Sequence, residues 1–457
     1  MPVEKFIMLS FVSFDKRFPR LAAAALALAL ILCGLSAQAQ DSAISAPQTN
    51  IQSAPVTDTP EPAEEKQAKA FSQPLTPEVE EALTYLLGLP GHRDQSLDPA
   101  RLAPLLNMAT GPSFDSRALK PAKREGGNGV CLREDLKAPL ERILRYGYNR
   151  DIPNHVIFPS VLRLTGWEPG SDILRPGKGL WELAEGDLPA PVQLWGREYE
   201  VNTPDSSTGA YYRYELDRFI ALLRADGKNV LVSISRMPKE SEGGKKGVPM
   251  DDQNWNYFYS GIEGLDRGLI GWMDTSLYNS CSVQVFVEQD RTEPRTTCLL
   301  FKWLAGGWAG LNVIMPRHIY DGNMRFIKGF KKVMESDALP DSDRFAAAVR
   351  EIRGLPESVL DEKIRSYSHA FEQLARSYPS MDKSEFRKIW ENGGYAKVLD
   401  HDQRLGILAL EYLKAKVGKP VLVDLSMIDR ALAAQPGGPN VAVLAPDQGK
   451  EQGGTAP

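Results

Sequence analysis

The sequence predicts an α+β protein: an antiparallel meander sheet of about six strands gripping a long helix, flanked by N-terminal helices and followed by an all-helical segment. Three observations carry this. Between Pro191 and Trp308 the hydrophobic period is two, and the connections are too short for crossover helices. Pro316 then opens a stretch in which Ile319, Asn323, Phe326, Ile327, Phe330, Val333 and Met334 share one helical face. After Pro340, helical spacing continues to about Lys416. The 457 residues are 42% hydrophobic and 25% charged, the composition of a folded protein. A net charge of −5 gives no reason to expect nucleic acid, which demands a strongly basic face, so no nucleic-acid partner is expected.

At the N-terminus, Lys16, Arg17 and Arg20 precede the apolar run Leu21 to Cys33, and Ala37-Gln38-Ala39 supplies a small-residue cleavage signal. Residues 1–39 read as a signal peptide cleaved near Ala39, which predicts a periplasmic or otherwise exported bacterial protein. An uncleaved anchor and lipidation at Cys33 are the alternatives, although Leu32 stands where lipidation wants a small residue. Residues 40–76 are Pro-rich and poor in apolar side chains, so they cannot repay the entropy of ordering and read as a disordered linker. Residues 436–457, rich in Gly and Pro, read as a disordered tail. Between them, 77–335 reads as the α+β domain and 336–435 as a helical segment.

Thr76-Pro77 is a helix start, with Val79, Leu83, Leu86 and Leu87 as the apolar stripe and Gly88 as the stop. Asp98-Pro99 repeats that start before Leu102, Leu105 and Leu106. A third helix is predicted from about Leu132 to Tyr146, from Leu136, Leu140, Ile143 and Leu144. Strands are predicted at Val192–Val201, Tyr211–Arg224 and Val230–Met237, the last two joined by a hairpin at Asp226-Gly227. A shorter strand follows at Asn254–Tyr259, then Cys281–Glu288 and Thr296–Leu304. Beyond Pro340, helices are predicted at Arg344–Arg353, Glu357–Tyr378, Lys383–Trp390 and Arg404–Lys416.

The stretch 132–335, through the strands Cys281–Glu288 and Thr296–Leu304 and the helix from Met315-Pro316 to Val333-Met334, resembles the helix-grip fold of START-like (SRPBCC) ligand-binding proteins. Ile327 to Val333 looks like the closing helix of such domains. The family also has a first strand and a pair of short helices, which are not evident in the Pro- and Gly-rich residues 150–190. The resemblance implies a curved sheet gripping the helix around an apolar cavity for a lipid or other hydrophobic ligand.

Cleavage leaves Cys131, Cys281 and Cys298, with no C-x-x-C pair. Pairing of adjacent strands about Gln289-Asp290 makes Cys281 and Cys298 a candidate disulfide; two small buried hydrophobes are the other reading. His92, His155, His318, His369 and His401 have no metal-ligand spacing, and no cofactor motif occurs, so neither metal nor cofactor is expected. Ser380-Met381-Asp382-Lys383 matches S-x-x-K without its companion motifs and reads as a helix cap. Asp400 in Leu399-Asp400-His401-Asp402 reads as a helix start.

The function expected is binding of a hydrophobic or amphipathic, lipid-like small molecule, without catalysis. Val283, Val285, Leu300, Ile327, Phe330, Trp255 and Tyr257 are the candidate ligand-binding residues. Arg325, Lys328, Lys331 and Lys332 form a basic helix face suited to peripheral contact with an anionic membrane. Two other readings stand beside it. One is an envelope enzyme acting on a polysaccharide, using aromatic side chains with carboxylates among Asp251, Asp252, Glu263 and Asp266. The other is an envelope assembly or scaffold protein whose C-terminal helices bind a partner.

Overall fold

The structure is a computed structural model that describes residues 70–434, except 207, 267–271 and 291–293. The signal peptide, nearly all of the linker and the C-terminal tail lie outside the described residues. All described residues belong to one compact unit, Ala63–Pro457, so the helices after residue 335 share a unit with the sheet.

The protein is α+β, built on a large antiparallel sheet. In chain order the elements are α1 (Pro77–Leu87), α2 (Ala103–Thr110), β1 (Asn128–Leu136), α3 (Leu140–Gly147) and α4 (Asn154–Ile157). Then come β2 (Leu162–Trp167), β3 (Val192–Asn202), β4 (Arg213–Ala225), β5 (Lys228–Arg236), β6 (Lys245–Asp251) and β7 (Asn256–Glu263). Next are β8 (Ser276–Asp290), β9 (Arg295–Trp308) and α5 (Pro316–Met334). The chain continues through α6 (Ser342–Arg353), α7 (Glu357–Ala375), α8 (Ser384–Trp390), α9 (His401–Lys416) and α10 (Ser426–Ala434). Across the main sheet the order is β1-β9-β8-β5-β4-β3-β2, with every neighbour antiparallel.

Several predicted boundaries recur for the expected reasons. Thr76 occupies the N-cap position of α1 without a side-chain capping hydrogen bond, Pro77 opens the first turn, and the side chain of Asp98 accepts from Ala100 N. Asp226 and Gly227 both have positive φ (50° and 75°), the backbone that a two-residue hairpin between twisted strands requires. Asp400 caps α9 by accepting from Gln403 N at 2.8 Å.

Three expectations are corrected. The predicted helix over 132–146 is a strand, β1, followed by a short helix, α3, that starts only after Pro139. Leu132, Leu136 and Leu140 are four apart, and that spacing keeps one face in a strand as well as in a helix. The sheet is larger than six strands: β1 and β2 join it, a two-residue strand Leu311–Asn312 extends it beside β9, and the predicted Asn254–Tyr259 strand lies elsewhere. That segment, β7, belongs to a separate three-stranded sheet with β6 and Ala210–Tyr211, and Trp255 sits in the preceding turn at φ 57°. Finally, Cys281 pairs with Trp303 and Cys298 with Phe286, so the candidate disulfide partners are not opposite each other. They also point to opposite faces, because the register places them an odd number of residues from facing one another. All three cysteines are buried and free, and burial pushes the Cys281 thiol up to about 11.

Both faces of the sheet are covered. One buries Phe219, Val232, Ile234, Val283, Val285 and Phe301 beneath α1 and α2. The other carries α5, whose Ile327, Phe330, Val333 and Met334 pack on Leu132, Leu136, Phe286 and Leu300. That cluster continues without a break into α6, α7 and α9 through Phe345, Phe371 and Tyr412. A charged pair, Lys414 and Glu411, is fully enclosed there at 2.6 Å, satisfied further by Asn256 and the backbone of Leu422.

Candidate functional site

Under α5 the sheet face is divided into rungs by register. Toward the C-terminal end of the helix, Cys298, Phe286, Leu231 and Leu222 lie side by side across four strands, all apolar and all buried. Phe330 closes this half, with ring centroids 4.9 Å from Phe158 and 6.4 Å from Phe286. Two rungs further on, the same four strands present Lys302, Ser282, Ser235 and Arg218. Serines cannot fill the space that leucine and phenylalanine fill below them. The result is a cavity of about 510 Å³ between this half of the sheet and the N-terminal half of α5.

The roof is His318, Ile319, Gly322, Asn323 and Phe326, one helical face. A Cβ added at Gly322 would meet nothing within 4 Å, so this glycine leaves room in the cavity. At one end Gly306, Gly307 and Trp308 line it, where β9 turns into the Leu311–Asn312 hairpin. A side chain at Gly307 would collide with the Leu311 carbonyl oxygen, so the close approach requires glycine. Leu216, Leu277, Leu300, Leu304, Ile314 and Ile319 supply apolar walls.

The polar groups fall into two sets. Around Arg218, Nη1 donates to Glu198 at 2.9 Å and lies 3.8 Å from Glu200, and Nη2 donates to Ser233 at 3.0 Å. Glu198 also accepts from Asn154 Nδ2 at 2.9 Å, and Tyr214 donates its hydroxyl to Glu200 at 2.8 Å. Lys302 forms the other set, donating to Ser280 Oγ at 2.7 Å. No carboxylate among the described residues forms an ion pair with it. Burial disfavours its charged form and lowers its pKa.

Glu198 is 1% exposed, and burial, outweighing the attraction of Arg218, pushes its carboxyl up to about 7. An unfolded glutamate titrates near pH 4.3, so between there and about pH 7 the native state keeps a proton that the unfolded chain has released. The stabilisation is complete below the unfolded value and is lost as pH rises through the native one. Urea midpoints of the wild type and Glu198→Gln should therefore diverge. On going from about pH 5 to about pH 8 the wild type should lose on the order of 2–3 kcal/mol relative to the variant. A difference that does not change with pH would contradict this.

Of the predicted ligand residues, only Leu300 lines the cavity. Ile327 and Phe330 lie on the correct helical face but in the solid half. Val283 and Val285 point to the opposite face, under α1 and α2. Trp255 and Tyr257 are buried near the C-terminal helices, where Lys419 covers the Trp255 ring at 4.3 Å and Tyr257 donates to Asp252 at 2.5 Å. Two of the carboxylates proposed for polysaccharide chemistry, Asp251 and Asp252, have structural partners. Asp251 accepts from the backbone of Gln253 and Asn254 in a turn, and Asp252 pairs with Arg325 at 2.8 Å. The basic helix face is broken up as well: Arg325 is held by Asp252, and Lys331 by the Asp135 carbonyl at 2.7 Å, leaving Lys328 and Lys332 exposed.

Lys302, Ser235, Ser280, Ser282 and Arg218 were not singled out from sequence. Their signal was present: on β8 the residues Ser280, Ser282 and Gln284 alternate with Cys281, Val283 and Val285. The apolar set has the appearance of a ligand wall, but in a sheet covered on both sides it is the solid core. The set with gaps and polar atoms faces the cavity.

No protein-family model matches this chain, and no curated protein matches it.

Proposed function

We propose that this protein is an exported, non-catalytic carrier of an amphipathic small molecule held between α5 and the sheet, on a START-like helix-grip plan. The cavity of about 510 Å³ carries the reading; small-molecule sites typically measure about 300–1,000 Å³. Its lining favours an amphipathic ligand over a purely hydrophobic one, with leucine and isoleucine walls beside a rung of serines and two cations. The helix-grip plan is supported by elements missing from the sequence reading: β1 as a first strand, with α3 and α4 as paired short helices after it. The enzyme reading is favoured less, since Asp251 and Asp252 are engaged in a turn and an ion pair.

Native mass spectrometry of protein taken from its own cell envelope without detergent tests both parts. The expected spectrum is a chain beginning at Gln40 with a non-covalent adduct of a few hundred daltons. A bare mass, or a chain retaining residues 21–39, would count against the carrier or the export, respectively.

A further inference from the structure

The charge arrangement within the cavity is uneven. Buried Glu198 and half-buried Glu200 both converge on Arg218, and Asp205, also on the cavity lining, is held by the backbone and hydroxyl of Thr208. Arg218 and Lys302 sit at opposite ends of one rung, separated by Ser235 and Ser282. Three strand spacings of about 4.8 Å put their backbones roughly 14 Å apart. Arg218 is ion-paired, whereas Lys302 makes no ion pair among the described residues and feels the charge of Glu200 only through space. An ammonium has three donors, and Lys302 uses one of them on a neutral hydroxyl. A half-buried cation with no ion pair gains from an anion that takes up its remaining donors. On the roof, Asn323 lines the same cavity, is nine-tenths buried, and its Nδ2 has no hydrogen-bond partner. Beside Lys302 on its own strand are Leu300 and Leu304, with Leu277 and Ile319 close to the same space. The site therefore offers unused donors next to an apolar wall.

Resting on the carrier reading above, we propose that Lys302 anchors the acidic headgroup of the ligand, an amphipathic carboxylate whose apolar chain lies along Leu300, Leu304 and Ile319. Its Nζ supplies charge-assisted hydrogen bonds to the carboxylate, and Asn323 Nδ2 supplies a neutral donor from the opposite side.

Fluorescence titration with cis-parinaric acid and with its methyl ester separates head from chain, because the two share the chain and differ in charge. The wild type should bind the acid about tenfold more tightly than the ester, the size expected of a charge-assisted hydrogen bond. Lys302→Met should bind the ester unchanged and the acid no better than the ester. Lys328→Met, which removes an exposed lysine from α5, should keep the preference. Equal affinity of the wild type for acid and ester, or a preference that survives in Lys302→Met, overturns the anchor and leaves the cavity reading in place. Absence of saturable binding of either probe to the wild type overturns both. The acid–ester comparison on the wild type does not depend on how any variant folds.

Discussion

Gly322→Phe should leave the protein folded and abolish ligand binding. Gly322 lies on the roof of the cavity, and a side chain begun there meets no atom within 4 Å. The first atom of a side chain therefore has room, and a ring on this roof position should reach the cavity at less than the usual overpacking cost of about 1–3 kcal/mol. Glycine within a helix is also less favourable than other residues by roughly 0.5–1 kcal/mol, so the substitution should hold or raise the melting temperature. Affinity for an amphipathic probe should fall by about a hundredfold or more, since the ring takes space that the ligand requires. Unchanged affinity at full stability would place the ligand elsewhere.

Phe330→Ala should have the opposite profile. Its ring is fully buried among Phe158, Phe286 and Phe326, in the half of the helix–sheet interface that is already filled. Truncation removes that burial and leaves a cavity, a change that costs about 3–5 kcal/mol for phenylalanine. Against a typical total of about 5–15 kcal/mol this is a large fraction, readable as a drop in the urea midpoint. Probe affinity of the molecules that remain folded should change far less than in Gly322→Phe. A Phe330→Ala protein of normal stability and impaired binding would mean that the filled and open halves of the interface have been interchanged.

The sequence showed the class of fold more clearly than the site, for physical reasons. The alternation in 281–288, the Asp226-Gly227 turn and the stripe from Ile319 to Met334 are local patterns, and β8, the β4–β5 hairpin and α5 stand where they predict. What failed was non-local. Four-residue spacing at Leu132, Leu136 and Leu140 fits both periods, and the backbone partner that resolves it, β9, lies about 160 residues further on. Facing the two cysteines across the hairpin needs a register five residues from the real one, which is set by the β8–β9 turn. Val283 and Val285, the candidate wall residues on β8, lie on the face away from the cavity. The N-terminal helices α1 and α2, predicted correctly as helices, cover the apolar face, and nothing local in their sequence says which side of the sheet they take. An isolated lysine in a strand ordinarily faces solvent, and nothing local to Lys302 marks it as facing a cavity.

The location of the ligand is the central claim, and methyl-resolved NMR with bound cis-parinaric acid tests it most directly. Nuclear Overhauser contacts from the ligand chain should reach the methyls of Leu216, Leu277, Leu304 and Ile319, which line the cavity. They should be absent from Val283 and Val285, which lie on the opposite face beneath α1 and α2. Contacts to the two valines, with none to Leu304 and Ile319, would contradict the account.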